Sequence, residues 1–70
     1  MSEMNIKNPS CVKNVSDIKV ESTQTADVIK ATYTYPNGFE MYIEQYADEI
    51  KVSSNKPFIK VDDNTYQIPK

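Results

Sequence analysis

Apolar and polar positions alternate in short runs along this chain, and only one segment admits a longer helical period. Ile18 and Val20 alternate with Lys19 and Glu21, which predicts a half-buried strand over residues 17–22. Over residues 27–35 the side chains of Val28, Ile29, Thr32, Tyr33, Thr34 and Tyr35 are β-branched or aromatic, the types that fit a pleated surface. Because successive side chains point to opposite faces of a strand, Ile29, Ala31, Tyr33 and Tyr35 share one face and Val28, Lys30, Thr32 and Thr34 the other. The first face is the expected core. Pro36, Asn37 and Gly38 follow: proline presets the first corner of a type I turn, Asn tolerates the second, and Gly accepts the left-handed conformation that closes a bulged hairpin. That turn sets Phe39 opposite Tyr35.

Residues 39–52 fit two periods. As a helix, Phe39, Tyr42, Ile43, Tyr46, Ala47 and Ile50 make one stripe, and Asn37 with Glu40 imitates a capping box. As a strand, Phe39, Met41 and Ile43 alternate with Glu40, Tyr42 and Glu44, directly after a hairpin turn. The turn favours a strand over residues 39–46; the alternative is an α+β fold with a helix at 39–51 packed on a four-stranded antiparallel sheet. Farther on, residues 53–57 read as a loop, 57–61 and 65–68 as strands, and 62–64 as the turn between them. The expectation is a mainly β fold, a small antiparallel sheet of about five short strands (17–22, 27–35, 39–46, 57–61 and 65–68) curled over one core. Residues 1–15, rich in Asn, Lys and Ser and without a period, read as a flexible or loosely docked arm on a single domain spanning 16–70.

At 70 residues with 39% apolar content, the chain builds one modest core. Nothing staples it, since Cys11 is the only cysteine and there is no histidine for a Cys/His zinc site. The formal charge is −2 with no arginine, and the eight lysines are scattered singly, which argues against direct nucleic-acid binding. No secretory signal or transmembrane run is evident, so the cytoplasm is the default location; a processed or excised domain would place the chain outside it.

Catalysis lacks its usual parts. Without histidine neither a Ser/His/Asp nor a Cys/His nucleophile can be assembled, and one glycine makes no phosphate cradle, so no enzymatic activity and no cofactor are expected. Asp62, Asp63 and Asn64 do not alternate as calcium ligands do and read as a polar hairpin turn, so no metal site is expected. Cys11 reads as an incidental thiol, with an intermolecular disulfide as the sharper alternative.

One stretch stands out for recognition. Between residues 40 and 49 lie Glu40, Tyr42, Glu44, Tyr46, Asp48 and Glu49, with no lysine among them. Tyrosines anchor protein contacts and carboxylates steer towards basic partners, so these six residues are the candidate partner-binding set. The leading expectation is a non-enzymatic, small acidic protein-binding module. It fits an inhibitor or adaptor of phage or mobile-element type that engages a basic surface on a larger protein, without contacting membrane. The alternative is a structural extracytoplasmic or virion-associated β module that associates, with itself or a neighbour, through an edge strand. The segments TYTYPNG and FEMYIEQ resemble hairpins of small extracytoplasmic β domains of low-GC Gram-positive bacteria; no function or site is carried over from that likeness.

Overall fold

The computed structural model describes residues 3–70. Among the described residues there are seven strands: β1 (Asn5–Lys7), β2 (Lys19–Gln24), β3 (Ile29–Thr34), β4 (Glu40–Gln45), β5 (Ile50–Ser54), β6 (Ile59–Asp62) and β7 (Thr65–Gln67). They form two sheets. A four-stranded antiparallel meander runs β2-β3-β4-β5, and a three-stranded mixed sheet runs β1-β7-β6 with β1 parallel to β7. The fold is therefore mainly β. Among the described residues no helix is long and apolar enough to cross a membrane, a statement that does not bear on β-barrels.

The β3–β4 hairpin follows its turn chemistry. Gly38 adopts φ +89°, its N–H donates to the Tyr35 carbonyl at 3.0 Å, and the Tyr35 N–H donates to the Phe39 carbonyl at 2.9 Å. Glycine carries no Cβ to oppose that φ, which is why the only glycine in the chain sits there. Asn37 closes the loop from both ends: its Oδ1 accepts the Phe39 N–H at 3.0 Å, and its Nδ2 donates to the Pro69 carbonyl at 3.0 Å.

Two strands differ from the expectation. Residues 39–51 are not helical: β4 ends at Gln45, a turn closed by the Tyr46 N–H to the Glu49 carbonyl (2.8 Å) reverses the chain, and β5 follows. The apparent helical stripe arose from reading one apolar series through this reversal, whereas Ile50 and Val52 alternate with Lys51 and Ser53 as a strand demands. The loop expected at 53–57 accordingly starts later. Asn55 ties it down, accepting the Glu40 N–H at 2.9 Å and donating to the Gly38 carbonyl at 3.1 Å.

The second addition is β1, inside the N-terminal arm. Its three residues are too few to show a period; what makes them a strand is the open edge of β7. The Asn5 N–H donates to Asn64 O at 2.7 Å, and the Ile68 N–H donates to Lys7 O at 3.0 Å. Smaller shifts occur at β2, which is preceded by a 3-10 turn at Val15–Asp17 and extends to Gln24, so the reversal falls at 25–28 around the Thr25 hydroxyl.

The core sits between the two sheets. Tyr35, Phe39, Met41 and Ile68 are buried, with Ile6, Val12, Ile18, Tyr33, Ile43 and Phe58 packed around them. Tyr35, Phe39, Phe58 and Tyr66 form a chain of edge-to-face contacts with centroids 5.6, 5.6 and 6.5 Å apart. Of the expected core face, Tyr35 is buried, Tyr33 packs on the core and Ala31 is half-buried, but Ile29 is exposed. The three-stranded sheet covers only the end of the meander nearest the β3–β4 turn, and Ile29 lies at the opposite end, paired with Gln45.

These differences in burial predict separable stabilities. Phe39→Ala should cost ~3–5 kcal/mol and unfold a domain of this size, whereas Ile29→Ala should cost less than ~1.5 kcal/mol; urea midpoints compare them directly. Tyr35 gives a pH signature. Burial, with a smaller contribution from Tyr33, raises its hydroxyl above the ordinary value of 10.0, and that hydroxyl donates to Asn8 Oδ1 at 3.0 Å. The stability from keeping this phenol protonated is complete below pH ~10 and is lost as pH rises through the folded value. Tyr35→Phe should flatten this alkaline loss in thermal melts while costing ~0.5–1.5 kcal/mol near neutrality.

Candidate functional site

The meander has two chemically distinct faces. Pairing register puts Lys30 beside Glu44, Thr32 beside Tyr42 and Thr34 beside Glu40, with Lys51 and Ser53 of β5 on the far side of Glu44 and Tyr42. This is the polar face. Alternation along β4 places Glu40, Tyr42 and Glu44 on it together, as the strand reading requires, and strand rise spaces the two carboxylates by ~13 Å.

Tyr42 occupies the centre of this face. Its ring is half-buried between Thr32 and Ser53 across the strands and between Glu40 and Glu44 along its own. Among the described residues, no hydrogen bond within the chain engages its hydroxyl.

The remaining candidates lie beyond the strand end. Tyr46 is turned back onto the face, its hydroxyl donating to Glu44 Oε1 at 2.9 Å, and Lys51 Nζ sits 5.5 Å from its ring centroid. Glu49 approaches the same lysine at 3.9 Å, an exposed pair that contributes little to stability. Asp48 lies exposed in the β4–β5 turn. Five of the six candidates thus lie on or beside one patch, with Asp48 in the turn at its rim.

Electrostatically the patch differs from its sequence. The stretch between residues 40 and 49 contains no lysine, yet Lys30 and Lys51 flank Glu44 from both neighbouring strands. Sequence reading missed them because cross-strand neighbours are remote in the chain. The alternation of Ile50, Lys51, Val52 and Ser53 is the signal that would have placed Lys51 on this face.

Reading also missed the opposite face. Of the meander's exposed large hydrophobics, Val20, Ile29, Ile50 and Val52 all lie there. Val52 also borders a shallow apolar cleft of about 220 Å³ shared with Met4, Ile6, Phe58 and Tyr66.

The Tyr46 hydroxyl is the titratable reporter of the patch. Its hydrogen bond to Glu44 is the main cause that raises its pKa above 10.0, because the phenol must stay protonated to donate; the charges of Glu44 and Glu49 act in the same direction. Glu44→Ala, which removes both the acceptor and the charge, should therefore bring the Tyr46 titration back towards 10.0, read by its ring resonances during alkaline titration, and an unmoved curve would dissolve this contact. Compared with known proteins, the chain matches no family model, no curated protein and no solved structure.

Proposed function

We propose that this chain is a non-enzymatic protein-binding module that offers the polar face of its four-stranded sheet to a larger protein. The observation that carries this reading is Tyr42: a half-buried ring with an unengaged hydroxyl, at the centre of an open face, between two carboxylates. A ring already held by its neighbours loses little conformational freedom on docking, and its polar tip is available to the partner. Glu40 and Glu44, with Asp48 and Glu49 at the rim, add a negative bias suited to a basic surface, while Lys30 and Lys51 set the register of contact. Imitation of nucleic-acid phosphates fits less well, because strand spacing holds Glu40 and Glu44 about twice as far apart as one helical turn would. An inhibitor or adaptor of phage or mobile-element type, acting in the cytoplasm, matches the small size and acidic balance of the chain.

A second reading rests on β2. This strand is exposed along its whole length and leaves one edge of the meander unpaired, which suits addition to a neighbouring sheet in a structural envelope or virion module.

Affinity purification with the parent chain and a Tyr42→Ala variant separates these readings. The first requires a stoichiometric partner whose affinity drops at least ~10-fold in the variant, equivalent to ~1.4 kcal/mol. The double change of Glu40 and Glu44 to Gln should lower the affinity further and reduce its dependence on salt while leaving folding intact. Equal recovery by the parent and the Tyr42→Ala variant would remove the polar face from the binding reaction.

A further inference from the structure

We propose that Asn37 is a site of spontaneous covalent modification, closed while the chain is folded and opened by unfolding, and that its deamidation weakens the fold irreversibly. The first observation is sequence. Of the six asparagines, five are followed by the β-branched Ile6, Val15 and Thr65, by Pro9, which has no amide proton, and by Lys56. Asn37 alone precedes glycine, whose amide nitrogen has no side chain beside it to hinder attack on the Asn37 carboxamide. In that reaction the Gly38 nitrogen gives its proton to solvent base and bonds to Asn37 Cγ, while the Cγ–Nδ2 bond breaks and Nδ2 leaves, with a proton, as ammonia. Water then opens the cyclic imide at either carbonyl, leaving aspartate or isoaspartate in place of the asparagine. No oxidant or cofactor is needed.

The second observation is that the folded turn holds both reacting groups away from each other. The Gly38 N–H is aimed at the Tyr35 carbonyl at 3.0 Å, so the nucleophilic nitrogen is engaged. The carboxamide is fixed through both its polar atoms, with Oδ1 accepting from the Phe39 N–H and Nδ2 donating to the Pro69 carbonyl, each at 3.0 Å. Ring closure must break the contacts to Tyr35 and Pro69 together. The residues on either side of the turn, Tyr35 and Phe39, are buried in the core, and Asn55 Nδ2 grips the Gly38 carbonyl at 3.1 Å. The opening that frees Asn37 is therefore the unfolding of the core itself.

The third observation is what the product meets on refolding. The Pro69 carbonyl can only accept, so its partner must donate, and a carboxylate at neutral pH has no proton to give. Deamidation thus replaces a hydrogen bond by a negative charge set against a carbonyl oxygen. Pro69 adjoins Ile68, a core residue with no accessible surface, so the lost clamp lies one position from the core. Isoaspartate also adds a methylene to the main chain inside the turn that Gly38 closes onto Tyr35. Each unfolding episode leaves a lasting mark, and the marked molecules unfold more readily. This modification is independent of what the Tyr42 face binds.

Peptide mapping by mass spectrometry tests the proposal, with the purified chain aged at mildly alkaline pH in buffer and at urea concentrations spanning its unfolding transition. In high urea Asn37 should convert ahead of the other five asparagines, and in buffer ~100-fold or more slowly, as the small unfolded fraction of a marginal domain dictates. Between these limits the rate should rise in proportion to the unfolded fraction seen by circular dichroism. Chain modified in urea and returned to buffer should melt at a lower temperature than unmodified chain, and Asn37→Asp should share that deficit. Asn64→Asp, which adds the same charge at an exposed turn asparagine, should melt as the parent does. Conversion in buffer that ignores the unfolded fraction overturns the protection by the fold. Modified chain that melts with the parent, or an equal deficit in Asn64→Asp, overturns the role of the Pro69 clamp.

Discussion

The packing of Phe39 holds this molecule together. Only 1% of the residue is accessible, and its ring meets Tyr35 on one side and Phe58 on the other, each edge to face at 5.6 Å. Tyr35 belongs to the hairpin of the larger sheet, and Phe58 leads into β6 of the smaller one, so a single side chain joins the two layers. Its position depends on Gly38, whose left-handed conformation turns the chain so that Phe39 faces inward. The Asn37 contact to Pro69 and the Asn55 contact to Gly38 then tie the C-terminal segment and the end of β5 to the same turn. Long-range polar clamps gathered at one loop suit a chain with neither a disulfide nor a large core.

A core placed at one end has a consequence for the whole meander. The three-stranded sheet is too small to cover four strands, so apolar side chains remain exposed on the same face, Ile29 and Ile50 at its far end and Val20 on the β2 edge. In a larger domain further strands or a helix would close over them. Here the face carries no charge, whereas the six charged residues of the meander strands all lie on the reverse side.

On the polar side, the sheet redistributes what the chain lists in order. A run of acids and tyrosines becomes one strand of a mixed surface, with Lys30 and Lys51 paired beside Glu44 and Lys51 lying near the Tyr46 ring. Tyr46 is committed to Glu44, while among the described residues none engages the Tyr42 hydroxyl. The two tyrosines, equivalent in sequence, thereby take different parts: one braces a carboxylate and the other is presented at the centre of the face.

Local patterning by itself pointed to the mainly β class and the β3–β4 hairpin with glycine in its turn, and it favoured a strand after that turn; the helical period over the same residues was excluded only by the structure, which thereby put Glu40, Tyr42 and Glu44 on one face. The local features depend on neighbours within a few positions, where alternation and turn chemistry act directly. Tertiary structure alone decided that Asn5–Lys7 is a strand, because its partner β7 lies some sixty residues away, and that the strands divide into two sheets. It also decided which apolar residues are covered: Ile29 and Tyr33 share one face of one strand, yet only Tyr33 lies under the smaller sheet. Alternation assigns a side chain to a face, but its burial depends on how far the opposing layer reaches, and that reach is set by contacts remote in the chain.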